Sequence, residues 1–538
     1  MIYQSLLNIY DEIDTVLGHN KKTDYKVLSI DTEADTAQLI ADADNVFYQS
    51  DTGRTSQVKA GISDNAGYIL GTGGDKGKSI DWLQNKLAKQ EDAYLEVLKE
   101  AAQDIENEDF QAYVGWRLKR RGVVGDTMGL KVKGDDELDV TFEDLGRRDW
   151  LAVKVNGQQL DLLEEVQSWW ISKLIEEAGE DTNRSGNDAW NEGSIARIHD
   201  KVSKLGSKIS SYNEDAYLHY GLTESQNSWM AVKTQMQYNA VLDYLTRQDE
   251  HKYTLAGVTW LMWTDPLAKE NLLLTVDDAS VKVSQYFGML YGQGLMPDDN
   301  VYLWALEQNS GRQMTRHLQH ADMRTLQNAL QAFADNTSIV RYNYNEKTTE
   351  VGRFSVGRML ASLTEKSGQK LKYDQILPRD QSEMIGLALN PDQNCPIRFL
   401  RKAVDRFLSC PSSNHQSVRA AIMRFYFRTN DKSMPTTLDP GSADVHYNLG
   451  RVFAMLENIQ KQALGYDINA SIADRYMTGA VATPSRVFPE LLNKANAHLS
   501  KIGGGLANSL QQELAAVISA VDEFPVRTDV EQKGRMLL

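Results

Sequence analysis

Four groups of residues in this 538-residue chain have types and spacings that could do chemistry. The first is Gly71–Thr72–Gly73–Gly74–Asp75–Lys76–Gly77–Lys78–Ser79, which reads like a loop that cradles phosphate. A P-loop needs four residues between its first glycine and the Gly-Lys-Ser. Gly71 leaves five and Gly73 leaves three, so the segment reads as a loop that carries Lys76 and Lys78. The second group is acidic: Glu137, Asp139, Glu143 and Asp144, beside Asp135 and Asp136. A nuclease needs two or three carboxylates converging on Mg²⁺. These share one local stretch with no distant partner in view, so a solvated loop is expected. The third group is His317 and His320, three apart and close to Arg312, Arg316 and Arg324, with His199 elsewhere. A metal site needs further ligands at suitable spacing. A basic helix face is expected for the pair and a structural role for His199. No catalytic residue, metal or cofactor is expected, and the chain is read as not an enzyme.

The fourth group is basic. Arg117, Lys119, Arg120 and Arg121 are followed by Lys131 and Lys133. Phosphate contacts need such clusters. Arg312 and Arg316, four apart, would share one face of a helix. Arg419, Arg424 and Arg428 interleave with Phe425, Tyr426 and Phe427, the charge-plus-stacking composition of single-strand binders. The alternative there is that the aromatics are core and the arginines surround it.

These groups need elements to hold them. Met1–Leu17 reads as a helix. Tyr25–Ile30, Ala37–Ile40 and Gly67–Leu70 read as short strands between Gly, Asp and Asn turns. Residues 81–107 form a charged helix and 160–178 another, with a polar linker at 180–195. Val258–Trp263 and Val301–Leu306 read as buried strands. From about 353 onward the pattern is helix after helix. Leu449, Val452, Phe453, Leu456, Ile459 and Ala463 follow helical spacing, Gly465 is placed to stop that helix, and Thr483–Pro484 to start the next. The fold class is α+β: a mixed α/β N-terminal and central body followed by an all-α C-terminal bundle. Three domains are expected, at 1–195, 196–395 and 396–538, because one core rarely serves so long a chain.

Composition is that of a soluble globular protein, 41% hydrophobic and 25% charged. No apolar run approaches the roughly 18 residues of a membrane span. The N-terminus lacks a basic n-region and reads as no signal peptide. Cys395 and Cys410, two cysteines in so long a chain, point to the cytoplasm. The net charge of −16 opposes nucleic-acid binding, but it is uneven. Residues 1–300 hold 30 Lys+Arg against 51 Asp+Glu, and residues 301–538 hold 28 against 23. The second half can face nucleic acid, and the first only through local basic clusters.

The wording of the chain identifies a family. His446–Tyr447–Asn448–Leu449–Gly450–Arg451–Val452–Phe453–Ala454–Met455–Leu456–Glu457, then Asn469 to Tyr476 and Ala482 to Pro489, closely resemble the C-terminal part of the large subunit of type I-C CRISPR Cascade. Asp64–Asn65–Ala66–Gly67–Tyr68–Ile69–Leu70–Gly71 resembles its N-terminal motif, with Ser63 where the family has an aromatic. Ser211–Gly221, Asn239–Leu245, Tyr302–Leu306 and Asn309–Arg316 follow in the family's order, so the resemblance runs from about residue 60 to 502.

The resemblance implies a non-catalytic subunit of an RNA-guided surveillance complex that reads the protospacer-adjacent motif, helps open the duplex and recruits a helicase-nuclease. The implied partners are crRNA, the target duplex and its displaced strand, backbone subunits, and a C-terminal fragment made from an internal start such as Met423 or Met434 and acting as small subunit. DNA contact is expected at Lys59 and Asn65 from the resemblance together with side-chain chemistry, at Lys76 and Lys78 in the glycine-rich loop, and, from charge density in an otherwise acidic half, at Arg117, Lys119, Arg120, Arg121, Lys131 and Lys133. Asn65 has the donor and acceptor needed to read base edges, and its alternative is a turn residue. Arg312, Arg316, Arg424, Arg428 and Arg451 are implied contacts to nucleic acid or subunits. The rival readings are a metal- or nucleotide-dependent nuclease, and a diverged copy that binds DNA without supporting cleavage.

Overall fold

The computed structural model describes residues 2–40, 46–52, 58–75, 77–124, 130–134, 140–142, 145–180, 185–196, 199, 201–202, 205–210, 220–268, 272–273, 276, 278, 280–309, 311–343, 347–364, 370–410, 414–430, 434–435, 437–465 and 469–538. The chain forms two compact units, Met1–Tyr244 and Leu245–Leu538. The fold is α+β, with strands and helices mixed in the N-terminal and central regions and helices alone toward the C-terminus. Among the described residues no helix is long and apolar enough to cross a membrane.

In the first unit strand Lys26–Asp31 pairs antiparallel with Thr36–Ile40 and parallel with Leu151–Val155. Alternation sends Leu28, Ile30, Leu151, Val153 and Val155 into one core. That core is covered by helices Ile80–Asp104, Glu108–Leu118 and Glu164–Glu180, through Tyr94, Leu98, Phe110, Tyr113, Val166 and Trp170. The helix starts follow capping chemistry: Ser79 accepts from Trp82 N, and Asn107 from Phe110 N. Strands Arg120–Val124, Leu130–Gly134 and Val140–Phe142 form a separate antiparallel sheet. Two expectations differ here. Met1–Leu17 is broken into helix Ile2–Asn8 and a 3₁₀ turn at Tyr10–Glu12. Gly67–Leu70 is a helical turn, Ala66–Ile69, with all four residues buried. An apolar run of four satisfies either period, and its hydrogen bonds to neighbouring loops decide the outcome.

In the second unit four antiparallel strands follow one another: Lys252–Leu255, Val258–Asp265, Asn300–Asn309 and Arg312–Asp322. The first hairpin turns at Ala256 and Gly257, both at positive φ. Trp260, Met262, Leu303 and Ala305 pack on helices Met323–Thr337, Val356–Ser362, Pro378–Leu389, Ile397–Ser409 and Gln416–Thr429, all in one core. Arg312 and Arg316 therefore lie on a strand and not on a helix. Gly311, at φ +85°, reverses the chain and commits the following residues to pairing with Asn300–Asn309.

A second core begins at Leu449 and unites helices Val445–Leu464, Ile472–Ala482, Pro484–Ile502, Gly504–Ile518 and Val530–Leu537. Phe488 stacks on Phe524 at 5.4 Å and meets Phe453 edge-on. Gly465 ends the first of these helices at φ +87°, and Pro484 opens the third.

Candidate nucleic-acid interface

The segment around Asn65 is fixed by a seam of backbone hydrogen bonds to residues 145–151. Ala66 N donates to Asp149 O, Gly67 N to Arg147 O, Gly74 N to Leu145 O, and Leu151 N to Asp64 O, at 2.9–3.2 Å. Asp64 is fully buried and accepts from the backbone N–H groups of Gly61 and Asn65. Gly73, at φ +135°, lets the chain pass over Arg147: a Cβ there would lie 2.2 Å from Arg147 Cα. The seam brings Asn65, residues 71–75 and 77–79, and Arg147–Arg148 into one site.

Asn65 stands at the start of helical turn Ala66–Ile69 but makes no side-chain cap. Its Oδ1 is buried without a hydrogen-bond partner. Gln90 Oε1 is in the same condition, and both flank Gly67, 3.3 and 3.0 Å from where its Cβ would be. Two acceptors left without donors in one spot are costly unless a donor arrives.

Beside them the rim is cationic and aromatic. Trp82 is 39% exposed, with Lys78 Nζ 5.0 Å and the Arg147 guanidinium 5.5 Å from its ring. Arg147 donates to Asp75 at 2.7 Å, and Arg148, with 73% of its side chain exposed, lies 3.7 Å from the same carboxylate. The Arg147 hydrogen bond, helped by the charges of Arg147, Arg148 and Lys78, holds the Asp75 carboxyl below its usual range. Lys22 sits 4.6 Å over Trp150, and Lys26 pairs with Asp149 at 2.9 Å. Cations beside the exposed Trp82 ring can hold phosphates while the ring stacks a base; Trp150 is half-buried.

The sequence cluster Arg117–Arg121 divides in space. Arg117 is fully buried; it donates to Ile69 O and Arg120 O and pairs with Glu91 at 2.5 Å. Arg120 is buried, bidentate to Asp35 at 2.7 and 2.8 Å, with its guanidinium 4.6 Å from the Trp116 ring. These two expected DNA contacts are corrected: their guanidinium groups are taken up by protein partners inside the fold. Arg121 is exposed and pairs with Asp92 at 2.7 Å. Lys119 is exposed. Lys131 and Lys133 lie on strand Leu130–Gly134, in register with Val123 and Arg121. Lys59 is exposed, 3.6 Å from Glu177. Lys76 and the acidic group Asp135, Asp136, Glu137, Asp139, Glu143 and Asp144 lie outside the described residues, as does Ser211–His219.

In the second unit Arg424 is buried and donates to Asp335 O, Ser338 O and Pro435 O at 2.6–3.3 Å. Burial pulls its guanidinium below the usual range. This guanidinium, an expected contact to nucleic acid or a subunit, is likewise taken up by protein partners inside the fold. Arg419 is buried against Ser362 O. Arg428 is exposed and donates to Asn336, Arg316 pairs with Glu307, and Arg451 donates to Asn448 Oδ1 and Pro440 O. His317 packs on Trp260 and His320 stacks on Tyr302 at 4.7 Å, so both lie on the strand and not on a helix face. His199 is buried, 2.7 Å from Tyr238 OH, a structural histidine. No group of three His, Cys, Asp or Glu that could hold a metal occurs among the described residues.

Arg147, Arg148, Trp82 and Trp150 went unread in the sequence. Two adjacent arginines followed by Asp149–Trp150 were a usable signal. What hid it was separation: the loop they complete lies about seventy residues earlier.

A family model described as CRISPR-associated protein (Cas_Csd1) matches residues 16–538, nearly the whole chain. No match was found among curated proteins.

Proposed function

The chain belongs to the CRISPR-associated Cas_Csd1 family, and from that premise we propose that it is the non-catalytic large subunit of a type I-C-like, RNA-guided DNA surveillance complex. In this reading the seam around Asn65 meets the protospacer-adjacent motif in the target duplex, and base pairing with the guide reads the remaining sequence. The observation that supports it most is the seam that sets Asn65 beside the exposed Lys78, Trp82 and Arg148, while the buried Arg147 is bound to Asp75. The Asn65 amide carries a donor and an acceptor that suit a base edge, and the exposed cations suit the adjacent phosphates. The partners proposed are crRNA, backbone subunits and a helicase-nuclease.

The test is binding of cognate and motif-mutant duplexes by the assembled complex. Asn65→Ala is expected to bring the two affinities together. Lys78→Ala with Arg148→Ala is expected to weaken both alike and flatten the log–log salt slope by about 0.9 per lost phosphate contact. An unchanged affinity ratio in the first variant and an unchanged slope in the second would remove the site. Mg²⁺-dependent cleavage or ATP turnover by the purified chain would overturn the non-catalytic assignment.

A further inference from the structure

We propose that Asp75 is a built-in competitor for DNA phosphate: an internal anion that occupies cations of the Asn65 site and weakens duplex binding that does not depend on sequence. The inference rests on the proposed function and adds a restraint to that same site.

Three cations converge on this one carboxylate. Arg147 reaches its Oδ2 from Nε at 2.7 Å and from Nη2 at 2.6 Å. Arg148 addresses the same oxygen from 3.7 Å, and Lys78 adds its charge. Guanidinium groups gathered on one anionic oxygen are the usual means of holding phosphate. The Arg147 hydrogen bond, with the charges around it, holds the Asp75 carboxyl below its usual range, so it is ionised throughout the neutral range.

The loop has other means of staying in place. Gly74 N donates to Leu145 O at 3.1 Å, Arg147 N donates to Gly74 O at 3.0 Å, and Lys78 N closes on Asp75 O at 3.2 Å. These are main-chain bonds that any side chain at position 75 would keep. What the carboxylate adds to them is negative charge.

The two arginine pairs differ. Arg147 is buried and its contact is short, so it stays with Asp75. Arg148 is exposed and its contact is longer. Exposed pairs are weak in water, so a DNA phosphate can draw Arg148 away. That phosphate then lies near a carboxylate of like charge and is repelled. Both effects oppose phosphate whatever the bases are, because phosphate contacts carry no sequence information. Non-cognate sites far outnumber cognate ones, so a weaker sequence-independent term leaves more of the complex free to search.

The test is duplex binding by the assembled complex over a range of salt. Asp75→Asn keeps the side chain's shape and can still accept from Arg147. It is expected to bind cognate and motif-mutant duplexes several-fold more tightly, both alike, and to steepen the log–log salt slope by about 0.9, one gained phosphate contact. Arg148→Ala added to Asp75→Asn should return the slope to that of Arg148→Ala alone. Asp81→Asn, at an exposed acid further along the chain, removes the same formal charge and should leave the slope of the parent. Asp75→Ser, also neutral, should share the steeper slope. Weaker binding with a parental slope in both neutral variants, or failure of both to fold, would show a carboxylate that only fastens the loop and overturns the proposal. So does an equal steepening in Asp81→Asn. If Lys78→Ala with Arg148→Ala flattens the slope while Asp75→Asn leaves it unchanged, this inference alone fails. If neither moves the slope, the proposed site falls with it.

Discussion

Arg117 and Arg121 carry the same charge one helical turn apart in sequence and have opposite fates. Arg117 is buried against Glu91, which is itself nearly buried and also accepts from Gly122 N at 2.8 Å. Removing one member of such a pair leaves the other charge without compensation. Arg117→Ala is expected to cost about 3–5 kcal/mol of folding stability. Arg121→Ala, at an exposed pair, should cost no more than about 1 kcal/mol. Urea unfolding of the two variants checks this, and equal midpoints would show that Arg117 is not structural. Sequence shows formal charge and cannot show where it is neutralised, because Glu91 lies 26 residues upstream. The same holds for Arg120 with Asp35 and Arg424 with three backbone carbonyls.

A second residue-scale expectation concerns pH. Burial pushes the Asp161 carboxyl up to about 7, against its hydrogen bonds from Tyr48 N and Gln159. Its contribution to stability is therefore fully present below about pH 4 and is lost as pH rises to about 7. Burial moves His19 the other way, down to about 4, so its contribution is present above about pH 6.5 and is lost as pH falls to about 4. Between these limits the two slopes oppose each other. Asp161→Asn removes one of them. Above pH 7 the variant should be more stable than the parent, on the order of a few kcal/mol at about 1.4 kcal/mol per pKa unit. Below pH 6.5 it should lose stability toward pH 4 as His19 takes up its proton. Unfolding midpoints from pH 4 to 8 test this, and parallel profiles would disprove it.

At the scale of elements, close backbone approach controls the Asn65 seam. Strand Arg120–Val124 passes the 70–71 turn so closely that a Cβ on Gly122 would lie 2.4 Å from Leu70 O and 2.3 Å from Gly71 O. Backbone oxygens cannot step aside as a flexible side-chain tip can. Gly122→Ala is expected to detach the strand from the turn, lowering the melting temperature and weakening duplex binding together. Gly115, inside helix Glu108–Leu118, meets nothing at that position. Gly115→Ala should stabilise by up to about 1 kcal/mol through helix propensity. Differential scanning calorimetry of both separates close contact from propensity, and melting shifts of one sign would refute the contrast. The elements legible in sequence were those with local punctuation. Gly465 and Thr483–Pro484 mark real helix ends. The illegible ones were set by distant partners. Ala66–Ile69 takes its conformation from residues 147–149, and Arg312–Asp322 is mostly polar and becomes a strand by pairing with Asn300–Asn309.

At the scale of the whole molecule, the partition of hydrophobic cores decides which piece can stand alone. Helices Ile397–Ser409 and Gln416–Thr429 place Phe399, Leu400, Phe425 and Phe427 in the core shared with the sheet. Met423 is buried there too, in the middle of its helix. A fragment beginning at Met423 would carry half a helix whose apolar face has lost its partners. A fragment beginning at Met434 leaves that helix behind and retains every buried member of the second core, from Leu449 to Met536. Its closing helix Val530–Leu537 crosses Val445–Leu464 so tightly that a Cβ on Gly450 would lie 2.2 Å from Met536 O. The same closing helix also faces the sheet core: Glu531 accepts from Tyr426 OH, and Arg535 lies over Phe427 at 4.9 Å. The Met434 fragment should therefore fold cooperatively but with less stability than the same helices have in the full chain. Leu456→Ala, at a fully buried site, is expected to cost the fragment about 2–5 kcal/mol. Circular dichroism and urea unfolding of fragments from Met423 and Met434 make the comparison. Helical, cooperative unfolding of the shorter fragment, together with aggregation of the longer one, is the expected result. A shorter fragment that stays unfolded would mean that contacts from Tyr426 and Phe427 are needed to close the bundle, and it would remove the physical basis for a separate C-terminal chain.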